Sequence, residues 1–289
     1  MKKRILITGA NGLISNGIVA YLKKKDQDIE ITGVSPEMAK IDNFDHVIIK
    51  RFGETLSIPD KKFDLIVHCA FDKDDKSNEL NTKGTIQWAG DAEKAGIKNH
   101  IFLSSISSQS EFLSPYGKSK KDLETWFLKK NYFVFRLGLV IANGGMFGRL
   151  VKSIQTSPVI PLISNGKFLV FPTDPETIYD LVYKILHGDT IRHQGKLLNL
   201  QYKNGTPLRE ILILLKKKMK RGTLFIPVPY YLVYPIVKLI EIMKIPGIDI
   251  DTGNLKGLKW NSKISIPSHL ESLGYTEQNF IDLIEKIRL

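Results

Sequence analysis

Short apolar runs alternate with segments of helical periodicity over the first 140 residues of the chain. The apolar runs that we interpret as strands lie at residues 4–8, 29–34, 47–49, 65–70, 100–104 and 133–138. Amphipathic segments that we interpret as helices lie between them, at about residues 15–25, 78–95 and 115–130. Strands that alternate with helices are typical of a parallel sheet with crossover helices. The pattern therefore predicts an α/β fold with a doubly wound parallel sheet, in which ligands bind beyond the carboxyl ends of the strands.

Beyond Gly144-Gly145 this alternation becomes less regular. Helices are predicted there at residues 146–155, 175–187, 207–220, 230–243 and 277–288. Two of them have residues that favour a helix start, because Asp174-Pro175 and Thr206-Pro207 pair a capping oxygen with a proline at the first helical position. We expect a large core at residues 1–145, completed by about residues 172–202. A smaller mixed C-terminal lobe would then consist of residues 146–171 and 203–289.

The composition is that of an ordinary globular protein, with 43% hydrophobic and 25% charged residues. Cys69 is the single cysteine, which excludes a disulfide framework and a cysteine-based zinc site and fits a reducing compartment. The apolar run behind the basic N-terminus ends at Ile7, too short for a signal-peptide core. We therefore expect a cytoplasmic protein without a bound metal.

The net charge of +12 favours anionic partners, but it does not choose among them. The lysine clusters end predicted helices, where cations suit the helix dipole, and no nucleic-acid recognition module is present. We therefore expect no specific nucleic-acid partner. The apolar stretch 224–245 contains three prolines and three charged residues, which disfavours a spanning helix. Two interpretations of it remain open: packing of the smaller lobe, or peripheral contact with an anionic membrane beside the basic residues 216–221.

The first chemical motif is the segment 8–15, Thr-Gly-Ala-Asn-Gly-Leu-Ile-Ser, which joins the first strand to the first helix. Gly9 allows a tight turn, and Gly12 allows a pyrophosphate to approach the backbone at the helix N-terminus. The usual third glycine is replaced by Ser15, and the next glycine is Gly17. The motif predicts a dinucleotide site in the core, and the serine predicts a slightly wider spacing of helix and strand.

The second motif is Tyr116-Gly117-Lys118-Ser119-Lys120, introduced by Ser114-Pro115. A spacing of four residues places Tyr116 and Lys120 on one face of a helix. A nearby ammonium is expected to lower the pKa of the phenol and make it a usable acid or base. The serines at 104, 105, 107 and 108 follow the fifth predicted strand and bring hydroxyls to its carboxyl end.

Together these motifs resemble the extended short-chain dehydrogenase/reductases of the NAD-dependent epimerase/dehydratase family, closely over residues 4–150. Further shared segments are Val67-His68-Cys69-Ala70, Asn81, Gly84-Thr85, Ser104-Ser105 and Arg136-Leu137-Gly138-Leu139-Val140. The resemblance implies a Rossmann-like core in which Tyr116 transfers a proton, Lys120 holds the nicotinamide ribose and Ser105 hydrogen-bonds the reacting oxygen. It also implies a set of cofactor contacts: Gly9, Asn11, Gly12, Leu13, Ile14, Ser35, Ala70, Ser104, Tyr116, Lys120 and Val140.

Other positions narrow this expectation. The second strand ends in Ser35 without the carboxylate that NAD-preferring members carry for the ribose, which slightly favours NADP over NAD. Leu139 replaces an asparagine that related hexose 4-epimerases direct at the sugar diphosphate. For substrate contacts we expect Phe71, Ser105, Arg149 and Lys167, with plain surface exposure as the alternative for the two cations. His68 and Cys69 are expected to serve packing.

We therefore expect an enzyme that acts on a nucleotide-linked or diphosphate-linked sugar in surface-polysaccharide synthesis, as a homodimer. A 4-keto-sugar reductase and a hexose epimerase both fit the predicted site. A dehydratase fits less well, because Ile106 and Ser107 follow Ser105 where a carboxylate would be needed. A non-enzymatic dinucleotide sensor on the same fold is the alternative, although it would have no need of the Ser105, Tyr116 and Lys120 set.

Overall fold

The computed structural model describes residues 2–38, 43–59, 62–110, 114–189, 193, 195–243, 267–278 and 280–287. The chain divides into two compact units. The first unit contains Met1–Ser108, Pro115–Leu137 and Pro175–Leu200, and the second contains Gln109–Ser114, Gly138–Asp174 and Gln201–Leu289. We had expected the first segment of the core to run on to residue 145. Residues 138–145 group with the second unit because a strand there, Leu139–Val140, pairs with Pro172–Thr173.

A seven-stranded sheet forms the centre of the first unit. Its strands in chain order are β1 Arg4–Thr8, β2 Glu30–Ser35, β3 His46–Ile49, β4 Leu65–His68, β5 His100–Ser105, β6 Phe133–Leu137 and, late in the chain, Leu197–Asn199, here β11. Their order is β3-β2-β1-β4-β5-β6-β11, and all neighbouring strands are parallel. This confirms the predicted doubly wound sheet.

Among the described residues of the first unit, four α-helices accompany this sheet: α1 Leu13–Lys25, α2 Glu79–Lys94, α3 Pro115–Lys129 and α5 Pro175–His187. α5 packs against α1, and the Tyr21 hydroxyl donates to Asp180 at 2.7 Å. Gly17 makes this packing possible, because a Cβ at that position would overlap the Tyr179 ring. The early helices and strands match their predicted ranges to within two residues at most ends, since each carries a long apolar face.

The second unit contains helices and short strands. Its helices are α4 Gly145–Thr156, α6 Leu208–Lys218, α7 Tyr230–Met243 and α8 Phe280–Glu285. Its strands are β7 Leu139–Val140, β8 Val159–Ile163, β9 Leu169–Val170, β10 Pro172–Thr173, β12 Thr206–Pro207 and β13 Leu224–Val228. These strands pair two by two, β7 with β10, β9 with β12 and β8 with β13.

Two expectations about the C-terminal part need correction. The predicted helix at 277–288 is shorter, because α8 spans only Phe280–Glu285; residues 279 and 288 lie outside the described residues. The apolar stretch 224–245 is a strand, β13, followed by helix α7 with Pro235 inside it, and residues 244–245 lie outside the described part. In the described residues no helix is long and apolar enough to cross a membrane.

Candidate functional site

The turn between β1 and α1 approaches the end of β4 closely. Gly9 has a φ of +72°, and a Cβ there would lie 2.8 Å from the Ala70 Cα. A side chain at Gly9 would therefore meet both backbone strain and a steric clash. Gly12 is the N-cap of α1. It has no side chain that could accept a hydrogen bond from the backbone N–H groups of the first helical turn. This leaves a glycine-walled cradle at the positive end of a helix, which fits a pyrophosphate.

Two polar side chains, to which the sequence assigned no individual role, hold this cradle in shape. The Asn16 amide donates to the carbonyl oxygens of Ala10 at 3.1 Å and Gly12 at 2.8 Å. The Thr8 hydroxyl accepts from the backbone N–H groups of Cys69 and Ala70, both at 3.1 Å. In the sequence, Asn16 is indistinguishable from an ordinary solvated helix residue. The helical pattern therefore gives no sign that its amide holds the turn.

Ser15 and Gly17 have separate roles in the structure. Ser15, at the usual third glycine position, is fully buried. Gly17 instead allows α5 to pack on α1, as described above. The glycine that the sequence left without an explanation therefore serves contact between two helices.

Ser105, Tyr116 and Lys120 meet at the carboxyl end of β5. Ser105 is the last residue of β5, and Tyr116 lies in the first turn of α3. The Ser105 hydroxyl is hydrogen-bonded to Tyr116, and it lies 3.2 Å from the Ser107 hydroxyl. Lys120 donates from Nζ to the Leu103 carbonyl oxygen at 2.9 Å. The structure thus brings together the three residues that the sequence selected for chemistry.

The pKa of Tyr116 corrects one expectation. We expected Lys120 to lower it, but burial raises the pKa of this phenol above its usual 10.0, and the hydrogen bond from Ser105 only partly opposes that rise. The Lys120 ammonium lies 5.8 Å from the centre of the Tyr116 ring and is bonded to a carbonyl oxygen. Tyr116 is therefore a protonated phenol at neutral pH, the acid form of the pair.

Lys120 is enclosed by aromatic rings. Its Nζ lies 4.8 Å from the centre of the Phe102 ring and 5.8 Å from that of Phe71. Burial lowers the pKa of this amine to about 8, while the nearby Glu124 carboxylate acts in the opposite direction. The side chain remains mostly an ammonium at pH 7, held by one carbonyl oxygen and cation–π contacts.

Phe71 forms part of the rim of this site. Its ring meets Tyr116 edge to face at a centroid distance of 5.3 Å, and 40% of the residue is exposed. The loop behind it is fixed by Asn81, whose amide donates to the Asp72 carbonyl oxygen at 2.8 Å while its oxygen accepts from the Asp72 N–H at 2.7 Å. Asn81 therefore supports the loop that carries Phe71.

The Ser104 side chain is hydrogen-bonded within the protein. Its residue is 4% exposed, and its hydroxyl donates to Glu124 at 2.6 Å. A cofactor contact by Ser104, as the family resemblance implies, would not come from this hydroxyl. Sequence reasoning missed Glu124, although its spacing of four residues from Lys120 and eight from Tyr116 places all three on one helical face.

The residues at the end of β2 differ from the environment that the sequence predicted for a cofactor ribose. Ser35 is 1% exposed, and its hydroxyl accepts from the Glu37 N–H at 3.4 Å. Glu37 itself is exposed two residues further on. A carboxylate therefore follows this strand after all.

His68 and Cys69 lie at the end of β4 and in the residue after it. His68 Nε2 lies 3.2 Å from His100 Nδ1, and His100 Nε2 lies 3.1 Å from the Ile97 carbonyl oxygen. Because a carbonyl only accepts, His100 donates from Nε2 and accepts on Nδ1 from His68. Burial lowers the pKa of both imidazoles and raises that of the Cys69 thiol to about 12, so all three groups are neutral. The described residues contain no group of three or more histidine, cysteine or acidic side chains placed to hold a metal ion.

The remaining predicted contacts lie in the second unit. Val140 is on β7, beside Leu139. Arg149 is exposed on α4 and borders a shallow depression of about 400 Å³ together with Gly144 and Gly145. Lys167 is exposed just after a short 3₁₀ turn, Ser164–Gly166. For these three residues a ligand contact stays a prediction.

Part of the chain is similar to a known protein family. Residues 5–127 match the model of the NAD dependent epimerase/dehydratase family. Residues 5–127 are thus similar to that family. The resemblance found in the sequence is thereby confirmed, and the matched residues include the glycine turn, Ser105, Tyr116 and Lys120.

A curated relative, UDP-glucose 4-epimerase of Vibrio cholerae, is 32% identical over 122 residues, which are 38% of this chain and 37% of that protein. The chain thus aligns with about a third of that relative's length. Among solved structures, MoeE5 in complex with UDP-glucose and NAD has a TM-score of 0.66 and 16% identity, covering 78% of this chain and 85% of that one. The structure of gox2253 has a TM-score of 0.74 and 14% identity, covering 98% and 96%. At these identities the solved structures show the same fold.

Proposed function

We propose that this protein is an NAD(P)-dependent enzyme that oxidises or reduces a sugar carried on a nucleoside diphosphate, in surface-polysaccharide synthesis. The observation that carries the proposal is the meeting of Ser105, Tyr116 and Lys120 at the carboxyl end of β5. The class of substrate, a nucleotide sugar, is supported by two similar proteins. One is a curated UDP-glucose 4-epimerase, and the other is MoeE5, whose structure contains UDP-glucose and NAD.

The glycine cradle fits the pyrophosphate of a dinucleotide. Gly9 and Gly12 keep side chains away from it, and the N–H groups at Leu13 and Ile14 stand at the uncapped start of α1. Asn11 is exposed on the turn and completes the contact. Ala70 forms the floor beside Gly9, and Val140 is proposed to line the nicotinamide side.

The protein residues supply the proton in this reaction. When bound, the nicotinamide cofactor supplies or accepts a hydride at the sugar carbon. Tyr116, protonated because burial raises its pKa, donates its proton to the carbonyl oxygen of a keto sugar, and Ser105 hydrogen-bonds the same oxygen. The Lys120 ammonium stabilises the phenolate that remains and holds the ribose. In the oxidising direction the phenolate takes the proton back.

For substrate contacts we propose Phe71, Ser105, Arg149 and Lys167. Phe71 adjoins Tyr116 and offers an apolar edge to a sugar ring. Arg149 and Lys167 are exposed cations of the second unit, suited to a diphosphate. As in the sequence reasoning, the protein is expected to act as a homodimer.

A 4-keto-sugar reductase and a hexose epimerase use the same three residues but treat the cofactor differently. A reductase consumes reduced cofactor in each turnover, whereas an epimerase returns the cofactor to its starting state. Incubation of the purified protein with NAD, NADH or NADPH and a panel of nucleotide sugars and 4-keto sugars, followed by mass and NMR analysis of products, separates the two. Dinucleotide binding without any product across the panel would instead indicate a sensor.

A further inference from the structure

The two-stranded ribbon of β8 and β13 exposes an apolar face. In this parallel pair Val159 lies opposite Leu224, and Pro161 lies opposite Ile226. Side chains alternate between the two faces of a strand, so these four share one face. Leu224 is 62% exposed, Ile226 51% and Val159 41%. A cluster of large exposed apolar side chains on one face is unusual for a surface without a partner.

The element after the ribbon continues this apolar character. α7 begins two residues after β13 ends, and its first turn exposes Tyr231 at 72% and Leu232 at 50%. A tyrosine at such a place has an apolar ring and a polar hydroxyl, which suits the boundary between water and lipid.

A cationic cluster adjoins the ribbon. Lys216 and Lys217 lie in the last turn of α6, and Lys220 and Arg221 lie four and three residues before Leu224. These cations border one depression of about 410 Å³ with Phe225 of β13, whose ring lies 5.7 Å from Lys216 Nζ. Among the salt bridges of the described residues, none involves any of these four cations. Their charge is therefore available to an external anion.

We propose that the ribbon face and the cations at the end of α6 form a surface that docks on an anionic lipid membrane. Apolar side chains that enter the boundary of the acyl chains and cations that meet anionic headgroups are the two components of such binding. A second copy of the chain fits this surface poorly. A twofold contact would place the same patch against itself and bring the cations of both copies together. The proposal is independent of the sugar chemistry proposed above.

Co-sedimentation of the full chain with vesicles tests it. We expect binding to vesicles that contain phosphatidylglycerol, weaker binding at higher salt, and none to pure phosphatidylcholine. The variant Lys217→Glu/Lys220→Glu should bind at least about tenfold more weakly. Its matched control is Lys24→Glu/Lys98→Glu, which lowers the net charge equally with exposed lysines of the first unit.

The apolar half has its own pair of variants. Leu224→Ser/Ile226→Ser should also weaken vesicle binding, whereas Met38→Ser/Leu80→Ser, which removes two exposed apolar side chains of the first unit, should not. Circular dichroism establishes that each variant is folded. Equal losses in the patch and control variants, or no binding by the wild type, would overturn the proposal. So would self-association in light scattering that the Leu224→Ser/Ile226→Ser change abolishes, since the surface would then serve a second copy.

Discussion

Arg136 of β6 and Glu124 of α3 form a bidentate ion pair that is almost removed from solvent. Arg136 Nε lies 2.9 Å from one carboxylate oxygen and Nη2 lies 2.5 Å from the other, with side-chain exposures of 14% and 5%. The same carboxylate accepts from the hydroxyls of Ser104 at 2.6 Å and Ser108 at 2.7 Å. The pair therefore ties the helix that carries Tyr116 to the strands beside it.

Replacement of this carboxylate should cost stability. Glu124→Gln leaves the Arg136 guanidinium buried without a counter-charge, and breaking a buried pair in this way costs about 3–5 kcal/mol. We expect a decrease of that order in the free energy of unfolding in urea. The matched control is Asp122→Asn, which removes the exposed pair of Lys118 and Asp122 on the same helix and should cost less than about 1 kcal/mol. Equal effects of the two changes would show that the buried pair has no special role.

The proposed chemistry predicts three different outcomes for its three residues. Tyr116→Phe should fold and bind cofactor normally but lose turnover by on the order of 10²-fold or more, because the proton donor is missing. Lys120→Met should lose turnover and bind cofactor more weakly, since it is assigned both roles. Ser105→Ala should slow turnover less, because only one hydrogen bond is lost. Turnover and cofactor dissociation constants of each variant provide the measurement. Near-normal turnover in Tyr116→Phe would exclude this mechanism.

The glycine cradle predicts a defect in binding without loss of fold. Gly12 has a φ of −79°, which other residues adopt, but a Cβ there would lie 3.0 Å from the Gly9 carbonyl oxygen. Gly12→Val should therefore fold with a small shift of this turn, checked by circular dichroism, while its side chain blocks the pyrophosphate. We expect cofactor affinity to fall by about tenfold or more. Gly90→Ala is the control, because a Cβ there meets no atom within 4 Å and lies inside α2. It should raise stability by about 0.5–1 kcal/mol and leave cofactor affinity unchanged. Unchanged affinity in Gly12→Val would remove the cradle from the site.

Cofactor choice depends on Ser35 and its neighbour. The serine predicts that NADP binds at least as well as NAD, whereas the exposed Glu37 carboxylate would repel a 2′-phosphate. Titration of the wild type and of Glu37→Gln with both dinucleotides separates the two effects. We expect the change to improve NADP binding relative to NAD. A preference for NAD above about tenfold in both proteins, or roughly 1.4 kcal/mol, would show that another group recognises the ribose.

The histidine pair behind the site predicts an acid-sensitive core. Burial lowers the pKa of His100 from 6.5 to about 4 and lowers that of His68 as well. The unfolded chain therefore binds more protons below pH 6.5, and stability decreases as the pH falls from 6.5 towards 4. His100 alone contributes on the order of 3 kcal/mol to this loss. Urea unfolding between pH 7 and pH 4.5 should show a shallower dependence in His100→Phe than in the wild type.

Much of the first unit could be predicted from the sequence, because the strands inside its sheet are buried on both faces and therefore form continuous apolar runs. β2 is an example, since all six of its residues are buried. The motif residues Ser105, Tyr116 and Lys120 could likewise be placed, because a strand end and a helical spacing of four determine their proximity.

The rest depended on tertiary contacts that no local pattern records. β7 and β10 have two residues each, too few for a period of two to be visible. The direction of the Tyr116 pKa shift depends on how deeply the phenol is buried, which a spacing does not reveal. Glu124 looked like one more charged residue of a solvated helix, and only the fold places Arg136 against it.

The contact of α5 with α1 has a consequence for synthesis of the protein on the ribosome. Tyr21 and its partner Asp180 are separated by 159 positions, and β11 supplies the last strand of the same unit. While residues 138–174 are still emerging, the face of α1 around Gly17 remains bare and the free edge of β6 can pair with another chain. The first unit can close only after residue 200 has left the exit tunnel, so we expect nascent chains that stop earlier to aggregate more readily than the full chain.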